Sequence, residues 1–321
     1  MNINLKIKFL LLLNKFTKKT NLKTVTANEL RLNSNRLINK YSKYFEYPKE
    51  KVFSISNKVL NINNSNEVKV RIYKSKDDND QAVIMYFHGG GFVVGNLESH
   101  DSTCRRLAKQ NSCIVVSVDY RLAPEHQFPA AIEDCYNASC WVYSNAETIG
   151  ADKKKLIVMG DSAGGNLATV ITMMARDKGF PLISYQILIC PLLDVTLSMN
   201  SINTLSKGYI LNKDLLSWFI LNYCGNIKDL KQAYLSPLFS NNLNNLPPAL
   251  IITGEYDPLK DEGRAYAKKL KDSGNKVSFK EYKGMIHIFF QMPKYLKAAR
   301  DLEKQISNIL THFIKAHLKS N

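Results

Sequence analysis

The run Gly160-Asp161-Ser162-Ala163-Gly164 stands between a short apolar, strand-like segment (156–159) and a helical pattern that begins at Gly164. A strand that turns into a helix within so few residues holds the central serine in a strained backbone conformation. It also brings strand and helix so close that the positions two before and two after the serine cannot carry a bulky side chain, hence Gly160 and Gly164. Ser162 then projects above a sheet with a helix N-terminus beneath it, where donor groups and dipole favour negative charge. Such a turn needs a strand followed by a helix, and the rest of the chain supplies the pattern. From about residue 50 onward, apolar runs alternate with helical periodicity. Strands are expected at 52–55, 68–73, 82–87, 113–118, 156–159, 187–189, 249–253 and 277–281, and helices at 101–110, 130–145, 164–176, 262–273 and 294–317. The first two strands read as an antiparallel pair joined by the turn-rich segment 61–66. The fold class is therefore α/β, a mostly parallel central sheet flanked by helices. Segments 1–45 and 195–240 fit the alternation poorly. They are read as a helical cap over the C-terminal edge of the sheet, within a single domain spanning 1–321.

A serine hydroxyl is a weak nucleophile near neutral pH and needs a base, itself oriented by an acid. The order expected after such a serine is acid, then histidine, each on a loop after a strand. Asp257 follows the strand at 249–253, and His287 follows the strand at 277–281. Glu255 and Asp261 are rival acids, both offset from the tip that Pro258 defines. The other histidines are poorer bases, since His100 and His126 precede the serine while His312 and His317 belong to the C-terminal helix. His88-Gly89-Gly90-Gly91 directly follows the strand at 82–87. Consecutive glycines let backbone N–H groups turn toward a substrate oxygen, so Gly90, Gly91 and Ala163 are the expected oxyanion donors, with His88 bracing the loop. Phe92 and Tyr209 are the candidate pocket residues. Arg121, Glu125 and Asp134 read as a polar network that braces the sheet.

The 321 residues carry a net charge of +16, but the basic residues are spread along the chain, so a solvated surface is expected and no nucleic-acid partner. Six cysteines at irregular spacing suggest neither disulfides nor a metal knuckle. No cofactor and no metal are expected. The apolar stretch near residues 5–13, flanked by lysines including Lys6, Lys8, Lys15, Lys18 and Lys19, is shorter than the roughly 20 residues a membrane span requires. It resembles a signal-peptide core but lacks a small-x-small cleavage site. A helix packed on the protein is the expectation, without stable membrane insertion. The location is read as cytoplasmic, with membrane-surface association through this segment as the alternative.

The pairing of His88-Gly89-Gly90-Gly91-Phe92 with Gly160-Asp161-Ser162-Ala163-Gly164-Gly165 resembles the hormone-sensitive-lipase-like esterases of the α/β-hydrolase superfamily. The stretch from Tyr120 to His126 is similar to a further motif of that family, as are Phe128-Pro129-Ala130-Ala131 and Asp134. So are Asp257-Pro258-Leu259-Lys260-Asp261-Glu262-Gly263, where Lys260 replaces the usual arginine, and His287-Ile288-Phe289. The resemblance implies a cofactor-free serine hydrolase acting on small-molecule acyl esters of short to medium chain, through Ser162, His287 and Asp257 and an acyl-enzyme. By analogy with the family, it also admits a homodimer paired through the sheet edge near 277–281. Deacetylation or amide hydrolysis of a larger acylated molecule would use the same residues. A non-catalytic ligand-binding relative would be expected to lack one of the three.

Overall fold

The computed structural model describes residues 3–14, 20–63 and 66–318, so Lys15, Lys18, Lys19 and the centre of the expected turn at 61–66 lie outside it. Two helices come first, α1 (Leu5–Asn14) and α2 (Ala27–Phe45), then a hairpin of β1 (Ser54–Asn63) and β2 (Asn66–Lys74). The alternation that follows runs β3 (Gln81–Phe87), α3 (Asp101–Asn111), β4 (Ile114–Asp119), α4 (Ala130–Ser144), β5 (Ala151–Asp161), α5 (Ala163–Lys178) and β6 (Tyr185–Ile189). After β6 come α6 (Asn200–Thr204) and α7 (Lys213–Cys224), then β7 (Ala249–Tyr256), α8 (Lys260–Asp272), β8 (Val277–Ile286) and α9 (Lys297–Leu318).

The eight strands form one sheet in the order β1-β2-β4-β3-β5-β6-β7-β8, in which β2 alone runs against the others. Strand β3 is buried along its whole length. Its side chains alternate between two cores, as a strand covered on both faces must. Val83, Met85 and Phe87 face the core shared with α4, α5 and α8. Ala82, Ile84 and Tyr86 face the core shared with α3 and α9. Helix α5, which starts at the serine turn, has thirteen buried residues and packs between the sheet and α4.

Parallel strands all point the same way, so the loops leaving β3, β5, β7 and β8 open at one edge of the sheet, where ligands bind in open α/β folds. The segments expected to cap that edge divide. Helix α2 and the chain around α7 contribute Ser34, Ile38, Leu215, Leu216 and Phe219 to a cavity there. Helix α1 instead packs beside β8 and α9: Asn4 N–H donates to Gly284 O (3.2 Å), Lys6 Nζ donates to Tyr295 O (2.8 Å), and Ile7 is fully buried in the second core. No described helix is long and apolar enough to cross a membrane.

Candidate active site

The turn after β5 has the strain its sequence demands. Ser162 sits at φ 56°, ψ −120°, an unusual conformation for a residue with a side chain. Three backbone bonds hold it there: its N–H donates to Ile189 O (2.9 Å), and its carbonyl accepts from Asn166 N (3.1 Å) and Leu192 N (3.1 Å). The flanking glycines are sterically required. A Cβ on Gly160 would lie 2.2 Å from Gly164 O, and one on Gly164 would lie 1.9 Å from Phe87 O.

Across from Ser162, the loop after β3 passes through three successive positive φ values, at Gly90 (128°), Gly91 (61°) and Phe92 (62°). Gly90 O accepts from Val93 N (3.1 Å) and Val94 N (2.9 Å), which closes the turn. Among the described residues, no acceptor is paired with the N–H groups of Gly90, Gly91 or Ala163. Gly90 and Gly91 border the same cavity as Ser162. His88 is buried beneath the loop, its Nδ1 2.8 Å from Gly89 O and its carbonyl accepting from the Tyr120 hydroxyl (2.7 Å). Burial, with the nearby positive charge of His100, pushes the His88 imidazole down to about 4, which keeps it neutral. A neutral ring locked into loop contacts suits bracing rather than proton transfer.

His287 Nδ1 lies 2.9 Å from Asp257 Oδ2, and His287 borders the cavity beside Ser162. Burial would lower the imidazole pKa, but the charge and hydrogen bond of Asp257 outweigh it, and the net shift is upward from 6.5. The rival acids are engaged elsewhere. Glu255 accepts from Gly284 N (2.8 Å), and Asp261 accepts from Ser201 N (2.9 Å). Asp161, next to the serine, accepts from the Tyr86 hydroxyl (2.7 Å), Gly89 N (3.2 Å) and Gln291 Nε2 (3.2 Å), with His100 Nε2 at 3.4 Å. Burial would raise its pKa, but the charge and hydrogen bond of His100, with the bond from Tyr86, hold it down at about 2. It therefore ties the elbow to the loop after β3.

The cavity measures about 220 Å³ and has two kinds of wall. Ile38, Ile210, Leu211, Leu215, Leu216 and Phe219 form an apolar side from the cap segments, while Ser99, His100, Asp161 and Gln291 form a polar side. Neither Phe92 nor Tyr209 is among the lining residues. The positive φ at Phe92 turns its ring away, face to face with Tyr223 of α7 (centroids 3.8 Å apart), and Tyr209 packs on Tyr256 (5.6 Å). Phe219 takes the place expected for Phe92, its ring pressed so close to Gly91 that a Cβ there would lie 2.2 Å from Cγ. The expected polar network also divides. Arg121 pairs with Asp134 (2.8 Å), whereas Glu125 pairs with Arg31 of α2 at Nη1 (2.8 Å) and Nη2 (2.6 Å). Sequence reasoning missed Cys190, whose sulfur lies within 4.8 Å of donor atoms of both Asp257 and His287. Burial and the charge of Asp257 push that thiol well above its ordinary pKa, which disfavours the thiolate a metal would need.

A family model described as the α/β hydrolase fold matches residues 84–291, the span that contains every one of these loops. The chain belongs to the hormone-sensitive-lipase-like esterases of that fold. It is 38% identical over 250 residues to an arylesterase of Saccharolobus solfataricus, covering 78% of this chain and 80% of the relative. It is 35% identical over 249 residues to an ethyl acetate hydrolase of Pseudomonas putida (76% and 78% covered). A solved structure of a hyperthermophilic esterase from the archaeon Pyrobaculum calidifontis superposes with a TM-score of 0.90 at 38% identity, covering 97% of this chain and 98% of the other. As an esterase of this family, the chain is a carboxylic-ester hydrolase.

Proposed function

We propose that Ser162, His287 and Asp257 form the catalytic triad of this esterase, with Gly90, Gly91 and Ala163 as its oxyanion donors and short- to medium-chain acyl esters as its substrates. The observation that carries the reading is the 2.9 Å pairing of His287 with Asp257 at the cavity that Ser162 borders. With Nδ1 committed to Asp257, Nε2 is the atom left to take the Ser162 proton as Oγ attacks the ester carbonyl carbon. The carbonyl oxygen becomes an anion facing backbone N–H groups that have no other acceptor among the described residues. Collapse of the tetrahedral species breaks the bond to the alcohol, which leaves with the proton from His287. Water then repeats the sequence on the acyl-enzyme and releases the acid. Asp257 favours the charged imidazole, which lowers the barrier to forming it.

A cavity of about 220 Å³ with a largely apolar lining supports a short acyl group, and so does the likeness to an ethyl acetate hydrolase. Six cysteines without a disulfide support a reducing, cytoplasmic setting.

The test is turnover of p-nitrophenyl acetate by the wild type and Ser162→Ala across pH. Ser162→Ala should lose at least about 10⁴-fold in kcat while keeping its melting temperature. In the wild type, kcat/KM should fall as pH drops through a pKa above 6.5, because only the neutral imidazole accepts a proton. A variant that retained ester turnover would remove Ser162 from the mechanism.

A further inference from the structure

Helix α1 carries apolar side chains on two opposite faces. Ile7, Leu10 and Leu11 turn inward onto the core beside α9. Leu5, Phe9, Leu12 and Leu13 recur at the spacing of a single helical stripe and face outward, exposed by 81%, 57%, 51% and 50%. At 100° per residue, Lys6 and Lys8 fall on either side of that outward stripe. A short helix that is apolar all round is ordinarily buried, and here one face is sealed while the other meets solvent.

Helix α2 carries a second exposed stripe, which flanks its packed face rather than opposing it. Ser34 and Ile38 face the cavity, while Leu37, Tyr41 and Tyr44 form a second exposed stripe next to Lys40 and Lys43. Both helices converge on Tyr295. Lys6 Nζ lies 5.1 Å from its ring centroid, and the Phe45 ring stands edge-on at 5.6 Å. Charge is concentrated in the same part of the chain. Residues 1–53 hold twelve basic and three acidic side chains, which is nine of the sixteen net positive charges in barely a sixth of the sequence. Lys8, Arg36, Lys40 and Lys43 have no ion-pair partner among the described residues.

We propose that the outward faces of α1 and α2 dock on an anionic lipid bilayer surface. Leucine and phenylalanine would enter the acyl boundary, the tyrosines would sit at headgroup level, and Lys8, Lys40 and Lys43 would meet lipid phosphates. The apolar stripe with flanking cations matches a charged bilayer, whereas a purely apolar partner would leave the lysines unmatched. The proposal does not depend on the catalytic assignment. It does place the lipid against α2 along a stripe that flanks the residues lining the cavity, Ser34 and Ile38.

Flotation of the full chain with vesicles tests it, using phosphatidylcholine alone and an equal mixture with phosphatidylglycerol. The wild type should float with the anionic vesicles, stay behind with the neutral ones, and be released by high salt. The combined variant Phe9→Ser, Leu12→Ser, Leu13→Ser should bind anionic vesicles on the order of a hundredfold more weakly, at unchanged turnover of p-nitrophenyl acetate. Lys8→Glu with Lys40→Glu should weaken binding separately and reduce its salt dependence. Failure of the wild type to float, or equal flotation of the serine variant, would overturn the proposal. So would a wild-type dimer in solution that the serine variant dissociates without any vesicle binding, since a second copy would then cover the stripe.

Discussion

Gly164 follows Ser162 in the elbow and Gly91 lies in the loop after β3, and a methyl group added to each would meet different things. At Gly164 it would lie 1.9 Å from a main-chain carbonyl of β3, in the centre of the sheet. At Gly91 it would lie 2.2 Å from the ring of Phe219, a side chain on the cap helix α7. The first contact joins backbone to backbone between a central strand and the helix starting at Ser162. The second joins a loop to the buried ring of a side chain on α7. The elbow is thus fixed by elements that hold up the whole domain, while the seam between the glycine loop and α7 is fixed by side-chain packing. Backbone fixes the one glycine and a side chain the other.

Gly164→Ala carries the largest expected effect. With only backbone to displace, it should cost about 3 kcal/mol or more, read as a fall in melting temperature or loss of soluble protein. A fully stable Gly164→Ala enzyme would break the comparison. Gly91→Ala should fold, at a conformational cost of about 1–2 kcal/mol for its positive φ, yet lose on the order of 10²–10³-fold in kcat/KM by displacing the loop. Removing the ring in Gly91→Ala/Phe219→Ala should restore about tenfold of that loss, and no recovery would mean that the ring is not what the methyl meets. Arg31→Ala has the smallest effect. It removes two hydrogen bonds from α2 to the carbonyls of Val93 and Ala123, each 2.7 Å, as well as the pair with half-exposed Glu125. The pair is screened by solvent and counts for little, so about 1 kcal/mol is expected. It should appear as a severalfold rise in KM with kcat nearly unchanged.

The same contrast governs what could be read from the residues alone. The elbow, the glycine loop and the order of acid and histidine were legible because each demands residue types that few alternatives satisfy. Strand β1 was placed too early and too short, at 52–55 instead of Ser54–Asn63. It is an edge strand with Asn57, Lys58 and Asn61 in its span, so burial leaves little apolar pattern to follow. In the cap, periodicity shows that a helix has an apolar face but not what that face meets. Residues 1–45 read as one unit, yet α1 packs on β8 and α9 while α2 covers the cavity. Phe92 is a candidate pocket residue by sequence, but its positive φ, invisible in sequence, turns its ring toward Tyr223 and leaves the cavity wall to Phe219. Nothing in the spacing of Glu125 distinguishes Arg121 from Arg31 as its partner.

The backbone of Ser162 is bonded on both sides to the exit of β6, through Ile189 before the bend and Leu192 after it. None of those bonds involves α2, α6 or α7. For anyone redesigning this esterase, Ser162, the proposed nucleophile, is moored to the chassis, and the roof above it is a replaceable part. Swapping the roof should change which esters enter while leaving Ser162 where two neighbouring strands have set it.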